Sequence, residues 1–235
     1  MVFTKDLVEF AKEIKQDFHN NTPYPHIAIK GLFDETILRN AVQEIGEVTA
    51  GDYRSYNDPD QVGKELIEGE ALLNASPPNL RKIFTALNSP EFVNFLHTLT
   101  GIEGLYADNT FRGGGIHQTS RGGRLGIHVD FSRPKWNRNT YRRANILLYL
   151  NDEWQDEWGG HLELWDNSVK NGGKCVNKIS PEFNTLAIFG TAKNSWHGHP
   201  NPLACPEDRS RLSFASYYYS DTPSDDLEVH NTIFQ

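Results

Sequence analysis

The segment Gly126-Ile127-His128-Val129-Asp130-Phe131 sets an imidazole and a carboxylate two residues apart. In an extended strand such residues point to one face. His128 and Asp130 therefore project together, while Val129 turns the other way into apolar packing. A third donor is on offer in Ser195-Trp196-His197-Gly198-His199-Pro200, near the end of a later predicted strand. Two histidines and one carboxylate on one face of an octahedron leave three positions open for reactants, the donor set of non-haem iron chemistry. A His-x-Asp triplet alone is a weak signal, and its weight depends on the elements around it.

Helical patterning fills the first hundred residues. Leu7, Phe10, Ala11, Ile14 and Phe18 recur at helical spacing, with Thr4 as the expected N-cap. Pro23 and Pro25 break the chain, and residues 26–29 read as a short strand. Asp34 caps a second predicted helix, closed by Gly46. Residues 50–79 are polar and rich in Gly, Asp and Asn. They read as a long loop with one helical turn at 64–70, a candidate lid. Helices are expected from Leu80 to Leu87 and from Pro90 to Gly101. Beyond Gly101 the pattern changes to short strands parted by turn residues, at 104–111, 114–119, 125–131, 144–150, 160–165, 185–190, 194–198 and 210–219. That predicts an α+β chain with a mainly β core, a sandwich or jelly roll buttressed by the N-terminal helices. A single domain over 1–235 is expected, with a helical support and lid region (1–103), a β core (104–220) and a tail (221–235).

Composition narrows the class. Hydrophobic residues make up 37% of the chain, enough for a globular core. No apolar run suits a transmembrane helix, and the N-terminus lacks a secretory profile. Cys175 and Cys205 form no disulfide framework or zinc set, so a cytoplasmic setting is expected. A net charge of −8 argues against a nucleic-acid partner. Yet Arg112, Arg121, Arg124, Arg133, Lys135, Arg138, Arg142 and Arg143 share a window whose one acid is Asp130. Such a local field gathers anionic ligands; the bland alternative is a solvated basic face. The sequence carries no signal for an oligomeric state.

The order of the later segments is more specific than the triplet. His128-x-Asp130 is followed by Tyr149-Leu150-Asn151 closing a strand, by Gly159-Gly160-His161-Leu162, by His197 and His199, and by Arg209-Ser210-Arg211 opening an apolar-aromatic strand. In this order the chain resembles the prolyl-4-hydroxylase-like branch of the 2-oxoglutarate/iron(II) dioxygenases, over about residues 107–219. The resemblance implies a double-stranded β-helix, iron(II), 2-oxoglutarate as co-substrate and O2, with ascorbate as a reductant. It matches His128, Asp130 and His197 to the iron ligands, with His199 as the rival for the third place. It matches Arg211 to the residue gripping the far carboxylate of 2-oxoglutarate, for which a rigid guanidinium fork is suited. Arg209 shares its strand parity. Tyr149 matches a hydroxyl on that same carboxylate, against the reading of a satisfied core tyrosine. Asn145, on the same strand face as Tyr149, is a further pocket candidate, and Gln118 and Tyr217 are weaker ones. Trp196 is expected to pack, and His161 and Glu163 to face outward.

The expected activity is C–H hydroxylation with release of succinate and CO2, closed over by the 50–79 and Arg133–Arg143 segments. The basic window favours a small amino-acid-like or anionic substrate; the family favours a prolyl or other residue in a peptide or protein. A cupin-like binding protein would share the jelly roll but give no reason for Arg211 to face the metal.

Overall fold

The computed structural model describes residues 1–48, 51–137, 139–223 and 228–235. In chain order the elements are α1 (Leu7–Asn20), β1 (His26–Lys30), α2 (Glu35–Glu44), β2 (Asp52–Asp58), β3 (Gln61–Glu68), α3 (Glu70–Ala75), α4 (Pro78–Leu87) and α5 (Pro90–Thr100). They continue with β4 (Tyr106–Ala107), β5 (Gly115–Val129), β6 (Tyr141–Tyr149), β7 (Leu162–Trp165), β8 (Cys175–Ile179), β9 (Thr185–Gly190), β10 (Trp196–His199), β11 (Ser210–Ser220) and β12 (Ile233–Phe234).

The strands join in the order β1-β9-β6-β11-β5-β10-β7-β8, every pair antiparallel. The fifteen-residue β5 links the two layers of this jelly roll. Its first half pairs with β11 and its last residues with β10. Gly122 and Gly123 read as a turn in the sequence but lie inside this continuous strand. A Cβ on Gly123 would stand 2.8 Å from the carbonyl oxygens of Val62 and Ser120, so only glycine permits the close approach there.

Side-chain alternation assigns the two faces. Ile146 and Leu148 of β6, Leu186 and Ile188 of β9, and Phe214 and Tyr218 of β11 join Phe84, Phe92 and Phe95 of the helices in the main core. The intervening residues Asn145, Leu147, Phe189, Ser213 and Tyr217 line a cleft on the inner face. The helices thus cover the outer face, and the inner one is left for polar chemistry. Asp34 caps α2 as expected, Ser89 caps α5, and Gly101 ends α5 in the left-handed conformation. The cap of α1 is Asp6, whose carboxylate accepts from Val8 and Glu9 N–H; the Thr4 hydroxyl instead donates to the Gly31 carbonyl at 2.8 Å.

The largest departure is at 50–79. Thr49 and Ala50 lie outside the described residues. Beyond them the expected loop is a β2–β3 hairpin, and the helical turn expected at 64–70 is strand for most of that stretch, with α3 beginning at Glu70. β3 pairs along β5, with Lys64 opposite Thr119 and Leu66 opposite His117. The hairpin hid in the sequence because its inward positions are polar: Lys64 and Glu68 share a face with Leu66, which erases the usual alternation. Smaller corrections are that the strand expected over 104–111 is confined to Tyr106–Ala107, and that β8 and β12 pair with β7 and β5 without having been foreseen.

Phe84 is fully buried, its ring 5.0 Å from that of Phe111 and 5.2 Å from that of Phe214. Truncating it opens a cavity where α4 meets the sheet. Phe84→Ala is expected to lower unfolding free energy by about 3–5 kcal/mol in urea titrations. A loss below about 1 kcal/mol would mean that the helical layer is not cooperative with the sheet.

Candidate metal centre

Cross-strand register builds the centre. His128, near the end of β5, lies directly opposite His197 of β10, and their ring centroids are 4.4 Å apart. Asp130 follows β5 immediately. Its two oxygens stand 3.7 Å from His128 Nε2 and 3.4 Å from His197 Nε2. One donor atom from each residue fits within 4.8 Å of the others. The far nitrogens are engaged: His128 Nδ1 donates to the Gly126 carbonyl at 2.9 Å and His197 Nδ1 to the Ser195 carbonyl at 2.8 Å. Each ring is thereby held in the tautomer that turns a bare Nε2 to the centre, the arrangement metal-binding histidines use. Trp196, next to His197 on β10, packs on Ile127 and Val129 as expected.

A support of two residues holds the carboxylate. Arg142 Nη2 lies 2.9 Å from Asp130 Oδ2, and Asn145 Nδ2 donates to that same oxygen at 2.7 Å. Arg142 Nε in turn donates to Asn145 Oδ1 at 2.7 Å, closing a triangle. The guanidinium lies 3.4 Å from the Tyr217 ring centroid and only 2% of the residue is exposed. Burial pushes the Asp130 carboxyl up, but the Arg142 charge and contacts from both histidines outweigh it and hold it well below the usual range. Burial lowers His128, aided by the neighbouring His197 and opposed by Asp130. It also drives His117 and His199 well below the usual imidazole value, so these two are neutral donors and acceptors.

The centre opens into a cleft with an empty volume of about 600 Å³, its mouth included. Arg211 lies in it, donating from Nε to the Gly160 carbonyl at 2.7 Å and from Nη2 to Tyr149 Oη at 3.1 Å. Among the described residues no carboxylate pairs with Arg211. His199 lines this cleft and the adjoining one; its Nδ1 is buried without a partner, and it stays outside the three-donor group. Arg209 does not reach the cleft: it donates to the Asp152 carbonyl and sits 5.5 Å from the Trp158 ring. Asn145 touches Asp130 rather than Arg211 and Tyr149. Tyr217 lines the cleft; Gln118 does not, because it points to the other face of β5. Glu163 is buried in an ion pair with Lys178 at 2.9 Å, not turned outward as expected. An apolar groove along Val2, Phe3, Pro78 and Ala86 shares no residue with the cleft.

Two residues escaped the sequence reading. Arg142 belongs to the basic window that reads either as an anion-gathering field or as a solvated face, yet it is inside and paired; strand parity sets it opposite to Asn145, and a register shift in β6 brings it to the same side. Arg138 of that window lies outside the described residues. Lys64, which the sequence places at the start of a helical turn in a polar loop, is on β3 and lines the cleft.

The fold and centre together define a jelly-roll protein with an open facial donor set. Residues 114–219 match the model of the 2OG-Fe(II) oxygenase superfamily. The prolyl 3,4-dihydroxylase OGFOD1 of Ostreococcus tauri is 25% identical over 231 residues, covering 93% of this chain and 42% of the relative. Two solved structures share the fold. The Trichoplax adhaerens prolyl hydroxylase, in complex with a hypoxia-inducible factor peptide fragment, has a TM-score of 0.61 at 15% identity, covering 92% of this chain and 91% of that one. The Pseudomonas putida prolyl-4-hydroxylase has a TM-score of 0.59 at 13% identity, covering 88% and 97%. Over its β core the chain is thus similar to the 2-oxoglutarate/iron(II) oxygenase superfamily, and its fold is that of the prolyl hydroxylases named above. It spans less than half the length of the curated relatives it matches. Among the described residues no helix is long and apolar enough to cross a membrane.

Removing one member of a buried ion pair strands the other. In metal-free protein at pH 7, Arg142→Met is expected to cost about 3–5 kcal/mol in urea unfolding, with part recovered by adding Asp130→Asn. Because the Asp130 pKa is depressed, its contribution is complete above the unfolded value near ~4 and is lost as pH falls through the lower folded value. That acid limb should vanish in Arg142→Met; an unchanged limb would show that Arg142 does not hold the charge.

Proposed function

We propose that the protein is an iron(II)- and 2-oxoglutarate-dependent hydroxylase acting on a residue, prolyl foremost, within a peptide or protein. The observation that carries the reading is the convergence of His128, Asp130 and His197 at the end of a cleft whose other lining offers an unpaired, buried guanidinium. The donor set fits iron(II): two imidazole Nε2 atoms whose rings are fixed through Nδ1, one ionised carboxylate, and an open side. The lining also fits 2-oxoglutarate, since among the described residues Arg211 pairs with no carboxylate and His199 Nδ1 has no hydrogen-bond partner. Iron bound there would supply the oxidation, in which O2 and 2-oxoglutarate become succinate, CO2 and a hydroxylated C–H bond.

The remaining work belongs to the chain. Arg211 and the Tyr149 hydroxyl bind and orient the distal carboxylate, and the Gly160 carbonyl fixes the guanidinium that does so. Arg142 and Asn145 keep Asp130 ionised and turned to the metal. The β2–β3 hairpin lies along β5 and limits water in the cleft. The peptidyl substrate is supported by the named activities of the similar proteins. A small anionic substrate draws its support from the cleft's cations.

Mixing the protein anaerobically with iron(II) and 2-oxoglutarate should give the weak visible band that chelation generates; a flat spectrum would sink the reading. Asp130→Ala should abolish the band. Arg211→Ala should keep it but raise the half-saturating 2-oxoglutarate concentration roughly 10- to 100-fold, the worth of a charge-assisted hydrogen bond. Succinate release driven by prolyl peptides but not by free L-proline would separate the two substrate classes.

A further inference from the structure

Three cations face the cleft: Arg142, Arg211 and Lys64. Arg142 is neutralised by Asp130. Arg211 has a claimant in the distal carboxylate of 2-oxoglutarate, whose other carboxylate belongs at the metal. Lys64 is left over. Its ammonium has a 3.4 Å contact with Gln61 Oε1 and lies 5.3 Å from the Tyr56 ring, and among the described residues no acid pairs with it. Glu68, four residues on and on the same face of β3, is committed to Arg54 at 2.7 Å and to the Gly113 N–H.

Register shows why Lys64 points inward. It stands opposite Thr119 of β5, and Thr119 stands opposite Arg211 of β11. The three form one cross-strand row on the inner face, so the backbones of Lys64 and Arg211 are about 10 Å apart at the usual strand spacing. A cation on the hairpin arm thus faces the cleft from the side opposite Arg211. Burial pushes its amine down to about 8, with Arg211 and Arg142 adding to the shift and Asp130 opposing it. An ammonium held there, half-buried and beside two guanidinium groups, is poorly solvated and gains from an anion.

We infer that Lys64 receives a carboxylate of the substrate, so that the site selects a C–H bond lying next to an acidic group. The inference rests on the hydroxylase reading and narrows its substrate. The carboxylate has two possible sources, an acidic side chain neighbouring the target residue in a peptide or the α-carboxylate of a free amino acid.

The test uses protein loaded with nickel(II) and 2-oxoglutarate, which binds without turnover, and calorimetry. The probes are paired blocked prolyl peptides that differ only in Asp or Asn beside proline, and N-acetylproline with its amide. Wild type should bind the carboxylate member of at least one pair roughly tenfold more tightly. The peptide pair would point to an acidic side chain, the acetylproline pair to an α-carboxylate. Lys64→Gln should erase the preference and Lys64→Glu should reverse it, while 2-oxoglutarate affinity stays within about twofold in both. Succinate release by the iron-loaded protein should follow the same order. Equal binding within every pair, absence of binding by all four probes, or a preference that survives Lys64→Gln would overturn the inference. So would a loss of 2-oxoglutarate affinity in Lys64→Gln, which would assign the cation to the co-substrate. Failure of the loaded protein to bind 2-oxoglutarate at all would instead strike the hydroxylase reading.

Discussion

A carboxylate buried in a cleft stays ionised only if the structure supplies compensating charge, and this requirement at Asp130 organises much of the molecule. Desolvation alone would protonate it, and a protonated carboxyl is a poor metal donor. Arg142 meets the need, but a guanidinium is itself costly to bury unless its donors are spent. They are spent on Asp130 and Asn145, while the Tyr217 ring covers the guanidinium face. The position of β6 beside β11 brings these groups to the end of β5: Asn145 stands opposite Tyr217 across that pair. The charge balance of the centre is therefore a consequence of strand order.

The same registers explain how one sheet serves two purposes. β6, β9 and β11 give alternate residues to the helical core and to the cleft. A shift of one residue in any pairing would move Ile146 and Phe214 into the cleft and Asn145 and Ser213 into apolar packing. The error would be paid twice, by lost burial on one face and by orphaned polar groups on the other. The aromatic core under α4 and α5 thus fixes the geometry of the donors on the opposite face, although none of its residues touches them.

Where the sequence was readable and where it was not follows from this division. His128 and Asp130 were legible because strand parity needs only local spacing, and β6, β9 and β11 were legible as short apolar runs bounded by turn residues. The helix ends marked by Asp34, Ser89 and Gly101 were equally local signals. Non-local facts were not legible. His197 and His199 share parity, and their roles part only through pairing: His197 meets His128, whereas a register shift sets His199 against Leu125. Arg209 and Arg211 divide likewise, one reaching the Asp152 carbonyl and the other the cleft. The β2–β3 hairpin failed for another reason, since a strand that turns Lys64 and Glu68 inward has the composition of a loop.

That failure is itself informative about the cleft. A half-buried lysine without an acid on an inner face is unfavourable for folding, and the strand would be more stable with an apolar residue there. Local rules are broken in this way where a site demands it. At Asp130 the demand is internal and is met by Arg142. At Arg211 and Lys64 no carboxylate among the described residues closes an ion pair. The two unpaired cations stand on opposite sides of Thr119, one fixed by Gly160 and Tyr149 and the other carried on the hairpin arm. Such an arrangement distinguishes the guests of the cleft by where their negative charge lies rather than by shape alone.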